Sequence, residues 1–252
     1  MKNSFSAPAF AWILLTAICV GLLLIGLKAA LKKTGWERSR QKKIFFLTGA
    51  VILPWIALLL AGSYNGFFAD FSTLPPRPAL AILIPLPFVL LFAFSKKGTQ
   101  LLQSIPSHWL VYMQSFRIVV ELLLLFAFIN NKLPIQMTFE GRNFDVVTGV
   151  LALPVGYLLM RKKSNAKKLA VAFNIIGLLL LLNVLVIAVL SMPTPLRQFI
   201  NEPALTLVAQ FPFILLPGVL VPLAYTLHIF SLRQHLIANK DHYTANNPQF
   251  TE

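Results

Sequence analysis

Residues Val111–Phe128 read VYMQSFRIVVELLLLFAF, an apolar run that nonetheless carries Gln114, Arg117 and Glu121. At 100° per residue, Ser107, Gln114, Arg117 and Glu121 share one face of a helix whose remaining surface is mostly Leu and Val. A charge near the middle of a helix in lipid costs about 2.5 to 3.5 kcal/mol even on lenient insertion scales. That face cannot point at lipid, so the fold must be a bundle that covers it.

The rest of the chain supplies the bundle. Of 252 residues, 57% are hydrophobic and only 12% charged, with a mean hydropathy of +0.75 that no ordinary soluble domain approaches. Apolar runs long enough to cross ~30 Å of hydrocarbon occur at about 9–30, 44–63, 79–95, 107–129, 144–161, 168–191 and 209–230. The expected fold is all-α, a polytopic transmembrane bundle of seven helices over 1–239, followed by a polar tail, 240–252, expected to be disordered. The connecting segments are too short for a folded extramembrane domain, so any activity lies within the bilayer or on short loops.

The net charge of +14 does not indicate nucleic acid, because the basic residues sit in short runs between spans and form no continuous face. They report orientation instead. Sixteen fall on one side, chiefly Lys28 to Lys43 and Arg161 to Lys168, and five (Lys2, Arg77, Lys132, Arg142 and Arg197) on the other. This asymmetry predicts an outside N-terminus and a cytoplasmic C-terminus. The first run is too long for a secretory signal, lacks a small-x-small cleavage site and precedes seven basic residues, so it is expected to stay as a helix. Trp36 and Trp109 fall near the cytoplasmic boundary and Trp12 toward the outer one, as interfacial rings prefer. Prolines in the third, fifth and seventh runs point to kinked or interrupted helices, read either as packing irregularity or as broken helices around a substrate path.

Partners for the charged stripe are legible next door. The fifth run presents Asp145, Thr148, Gly149, Ala152 and Gly156 on one face, a strip of small residues headed by an acid, which lets helices approach closely. Arg117 four residues before Glu121 is the weaker order for a helical ion pair, and five guanidinium donors need more than one carboxylate, so Asp145 is expected to reach in as a second partner. The sixth run offers Asn183 at the depth of Glu121 and Asn174 nearer the cytoplasm; only one of them can readily face the cluster. The candidate substrate- or ion-binding residues are Gln114, Arg117, Glu121, Asp145, Thr148 and Asn183. Such a cluster is either a closed network that fixes helix register or the lining of a polar cavity in which Arg117 meets an anion and a carboxylate exchanges protons.

Soluble enzyme chemistry has no motif here: there is no phosphate-binding glycine loop, nucleophile elbow, HExxH or EF-hand pattern. Cys19 stands alone and cannot form an intrachain disulfide or a CxxC site. His228, His235 and His242 are seven apart, too far for two to share one metal ion, and no cofactor is called for; only His108 and His228, near the cytoplasmic ends of their helices, suggest haem axial ligands, against the simpler reading of interfacial histidines.

Seven spans with an outside N-terminus are common to several families. The seventh run holds no lysine for a retinal Schiff base, and the halves do not repeat as in SWEET-type sugar transporters. The segment Trp109–Gly149, with Q-x-x-R at Gln114 and Arg117 and F-D-x-x-x-G at Phe144, Asp145 and Gly149, resembles bacterial multi-pass membrane proteins of no assigned activity, over about a sixth of the chain. That resemblance implies a bacterial inner-membrane protein. Together these readings lead to a carrier of a small solute, proton- or ion-coupled, with the bilayer as its surroundings; the alternatives are a sensor or structural subunit of a larger membrane complex and, further off, an intramembrane enzyme acting on lipid.

Overall fold

The computed structural model describes residues 7–246. It is all-α, with no strand among the described residues: α1 (Ala7–Lys33), α2 (Arg38–Tyr64), α3 (Arg77–Leu83), α4 (Pro85–Phe94), α5 (Lys96–Ser104), α6 (Ser107–Tyr112), α7 (Phe116–Ile129), α8 (Val146–Met160), α9 (Ala166–Ser191) and α10 (Val221–Asn246). Taking α3 with α4, α6 with α7, and a π-helical turn at Leu216–Leu220 with the start of α10, six stretches are long and apolar enough to cross a membrane. The run at 144–161 becomes α8, whose 15 residues rise about 22 Å and fall short of a full hydrocarbon crossing. Its neighbour in sequence explains the shortening: Asn143 and Asp145 belong to a loop that folds inward before the helix starts.

The molecule is apolar on its outside. Phe46, Val51 and Leu58 of α2, Phe88, Leu91 and Phe94 of α4, and Ile175, Leu179 and Leu182 of α9 are all exposed, a surface that only lipid can solvate. Polar groups are turned inward, with Gln114, Arg117, Glu121, Asn143, Asp145, Thr148, Asn174, His228 and Ser231 all buried.

Two departures from regular helix bear on the interior. The fourth span is divided between α6 and α7 by a tighter 3-10 turn at Met113–Ser115, placed at Gln114. Near the start of α10, Pro222 has no N–H to offer the Gly218 carbonyl four residues back, and the Trp55 indole of α2 donates to that carbonyl at 2.8 Å. The segment 96–104, read from sequence as a cytoplasmic connection, is the amphipathic helix α5, capped by Ser95 Oγ accepting the Gly98 N–H and burying Leu101 and Leu102. At the far end, α10 continues to Asn246 through the start of the polar tail; residues 247–252 lie outside the described residues.

Candidate functional site

The small-residue face of α8 lies against α6 and α7. A Cβ at Gly149 would come within 2.9 Å of the Ile118 backbone nitrogen and 3.3 Å of the Arg117 Cβ, and Ala152, one turn on, is fully buried. This close approach brings Asp145, at the head of α8, to Arg117. The guanidinium Nη1 donates to Asp145 Oδ1 at 2.9 Å, and both side chains are almost wholly excluded from solvent. The carboxylate also sits at the N-terminal, partially positive end of α8, where a negative charge is favoured.

Glu121 does not pair directly with Arg117. Its Oε1 accepts a 2.6 Å hydrogen bond from Asn143 Nδ2, which also donates to the Met137 carbonyl at 3.1 Å, while Asn143 Oδ1 accepts the Asp145 N–H at 3.0 Å. Asn143 is thus the hub joining Glu121 to the Asp145–Arg117 pair. Sequence reasoning missed it, because an asparagine in a 14-residue connection reads as ordinary turn chemistry. The available signal was its spacing: an Asx residue two before Asp145 accepts that residue's N–H in a standard turn. The loop carrying it is a packed plug, with Leu133, Gln136, Met137 and Thr138 buried and Gln136 donating to Ser191 Oγ at 3.0 Å.

Gln114 faces the other way and donates from Nε2 to the Ala224 carbonyl of α10 at 3.1 Å. Thr148 is buried one turn into α8. Asn183 stands apart from the cluster: its Nδ2 donates to the Arg142 carbonyl at 2.9 Å and ties the loop to α9. The asparagine that α9 turns inward is Asn174, whose Nδ2 donates to the Ala170 carbonyl at 2.6 Å and to Ser231 Oγ at 2.8 Å, and whose Oδ1 lies 2.8 Å from His228 Nδ1. The structure therefore gathers Gln114, Arg117, Glu121, Asp145 and Thr148, adds Asn143, Asn174, His228 and Ser231, and leaves Asn183 outside.

The cluster holds more polar atoms than partners. Arg117 Nε and Nη2, Gln114 Oε1, Glu121 Oε2, Thr148 Oγ1 and His228 Nε2 are all buried with no hydrogen-bond partner, whereas buried polar atoms in folded proteins are nearly always paired. Arg117, Asp145 and Glu121 act on one another electrostatically, and Arg117 acts on His228. Charges stay close at the loop surface too, where Arg197 donates to Glu202 and, with the Ala204 N–H, holds that exposed carboxyl below its usual range.

A haem does not fit the two histidines. His228 Nδ1 is taken by Asn174, and its Nε2 edge lies against Gly177, where even a Cβ would collide with the ring, so no porphyrin fits on that nitrogen. The His108 ring packs edge-on to Tyr112. Among the described residues no group of three or more His, Cys, Asp or Glu side chains is placed to hold a metal ion.

These features define a class: a polytopic α-helical membrane protein with lipid-facing walls and a charged, hydrogen-bonded site among α6 to α10. Residues 74–236 match the family described as Domain of unknown function (DUF8737), which is more than half of the chain, and the chain belongs to that family. The matched segment contains every residue of the polar cluster, while α1 and α2 precede it. No curated protein and no solved structure matches the chain.

Proposed function

We propose that the protein is a carrier of a small solute, coupled to a proton or another monovalent cation, whose binding site is the polar cluster of Arg117, Glu121, Asp145, Gln114 and Thr148. One observation carries this reading: six polar atoms on Gln114, Arg117, Glu121, Thr148 and His228 are buried without partners inside a lipid-facing bundle, where a sealed structural network would have satisfied them. The charges support coupling. One guanidinium among two carboxylates leaves a net charge of −1, which a single proton or monovalent cation neutralises.

In this reading α8 is the fifth of seven crossings, completed at its short end by the inward-folded loop at 130–145, and the basic stretches at 28–43 and 161–168 face the cytoplasm. The N-terminus is outside, and the membrane is the bacterial plasma membrane. A second reading, a non-transporting sensor or structural subunit, is favoured by the closure of the site: Arg117 and Glu121 are each 1% exposed.

Access separates the two. In a Cys19→Ser background, Gln114→Cys and Glu121→Cys are exposed, in sealed vesicles over a range of pH, to a thiol reagent that does not cross membranes. A carrier opens its site to one side in some state and is labelled. Complete protection of both positions from both sides in every condition would leave the network as a packing device.

A further inference from the structure

The tautomer of His228 follows from its neighbours. Both amide hydrogens of Asn174 are committed, one to the Ala170 carbonyl and one to Ser231 Oγ, so Oδ1 faces the imidazole as an acceptor and His228 Nδ1 carries the hydrogen between them. The Nε2 atom is then a bare lone pair. It is completely buried and has no partner. It lies on the side of the ring held against Gly177, and the Thr148 methyl sits 3.1 Å from where a Gly177 Cβ would be, so Thr148 and the lone pair border the same bare glycine, and a turn of the Thr148 side chain exchanges that methyl for its unpartnered hydroxyl. Arg117 is the charged group acting on the ring; Thr148 from α8 and Phe173, Asn174 and Gly177 from α9 do not titrate.

Depth completes the arrangement. Glu121 is eight residues, about 12 Å, from the Ile129 end of α7, and Asn174 is eight residues, about 12 Å, from the Ala166 end of α9, which follows the basic stretch. Arg117 is four residues, about 6 Å, along α7 from Glu121 and farther from the Ile129 end, on the side where Asn174 holds His228.

We propose that His228 is the second proton-accepting group of this site: a proton held on Glu121 or Asp145 passes to His228 Nε2 through the Thr148 hydroxyl once that side chain has turned its hydroxyl into the place of its methyl. The proposal rests on the proton-coupled reading of the cluster. In the step a carboxylic O–H bond breaks and an N–H bond forms at Nε2; a relaying hydroxyl gives up one proton as it takes another, and the imidazolium keeps its Nδ1–H on Asn174. Charge balances at both ends. With one proton bound, Arg117, Asp145, Glu121 and His228 sum to zero whether the proton is on a carboxylate or on the imidazole.

Two measurements test this on the full chain in lipid vesicles. Solid-state 15N NMR of histidine-labelled wild-type protein is expected to show one histidine with a protonated Nδ1 and a bare Nε2 that becomes doubly protonated as pH falls, assigned by its loss in His228→Gln. A pH jump on supported vesicles is expected to drive a transient charge displacement that slows about a hundredfold in His228→Gln, the size of a lost general base. An Nε2 that carries hydrogen throughout, or an undiminished displacement in the variant, overturns the proposal. No displacement in wild type alongside thiol labelling at position 121 also overturns it, and leaves the carrier reading standing.

Discussion

The helices α2 and α7 both belong to apolar stretches long enough to cross a membrane and are opposite in what they bury. In α2, 27 residues long, only Leu59 and Ser63 are buried, and most of its Leu, Val and Phe residues face outward. In α7, with 14 residues, Phe116, Arg117, Val120, Glu121, Leu124 and Ala127 are all buried. Lipid tails solvate an apolar side chain as well as another helix does, so apolar content gives a membrane helix no reason to be covered. Polar content does. Apart from Leu59, packed with Phe68 and Ile214, α2 is held at polar points: Trp55 donating to the Gly218 carbonyl, and Ser63 Oγ donating to the Ala209 carbonyl at 2.9 Å.

The largest expected effect lies on the α7 side. Asp145→Leu leaves the Arg117 guanidinium buried without a counter-charge and is expected to cost about 3 to 5 kcal/mol, read as the unfolding midpoint in mild detergent. Adding Arg117→Leu to it is expected to recover most of that loss. If the double variant were as unstable as the single one, the ion pair would not be what holds α7 against α8.

Next come the loop hub and the packing face. Asn143→Ala strips Glu121 Oε1 and the Met137 carbonyl of their donor and is expected to cost about 1 to 3 kcal/mol in the same assay. Gly149→Leu forces a side chain into the Ile118 backbone and is expected to cost at least as much, about 1 to 3 kcal/mol. On α2, Trp55→Phe removes one half-buried donor, with an expected cost of about 1 kcal/mol, and Val51→Ala, on the lipid face, stays within about 0.5 kcal/mol of wild type. A loss at Val51 as large as at Asn143 would break the contrast between the two helices.

The smallest effect is at the surface. Glu202 is hydrogen-bonded by Arg197 and by the Ala204 N–H, which depress its carboxyl below the unfolded value. Its contribution is therefore full above the unfolded value and disappears as pH falls through the lower folded one. Because the group is exposed the slope is slight, and Arg197→Ala is expected to flatten it in a stability-against-pH series.

Much of this was readable in the chain. Run length located the six stretches long enough to cross a membrane together with a seventh, at 144–161, that falls short; the i, i+3, i+4 pattern put Gln114, Arg117 and Glu121 near one another, and the small strip on α8 announced the close approach that delivers Asp145. Asn143 was not readable as a site residue, since it sits in a connection whose inward fold is set by long-range packing, and His228 was read only as a haem ligand or an interfacial ring, because the apolar run ends two residues after it whereas α10 continues to Asn246. The choice of Asn174 over Asn183 depended on the rotation of α9, which a helix apolar on most sides does not reveal.

Hydropathy by itself determined that this chain lives in a membrane as a helical bundle, because in hydrocarbon each backbone must satisfy its own hydrogen bonds and only the length of an apolar helix then matters. The small-residue strip of α8 already pointed Asp145 at Arg117, but the partner of Glu121 was decided by tertiary structure alone. Glu121 finds Asn143 because a loop from elsewhere in the chain closes over α7, a matter of three-dimensional shape on which local periodicity is silent.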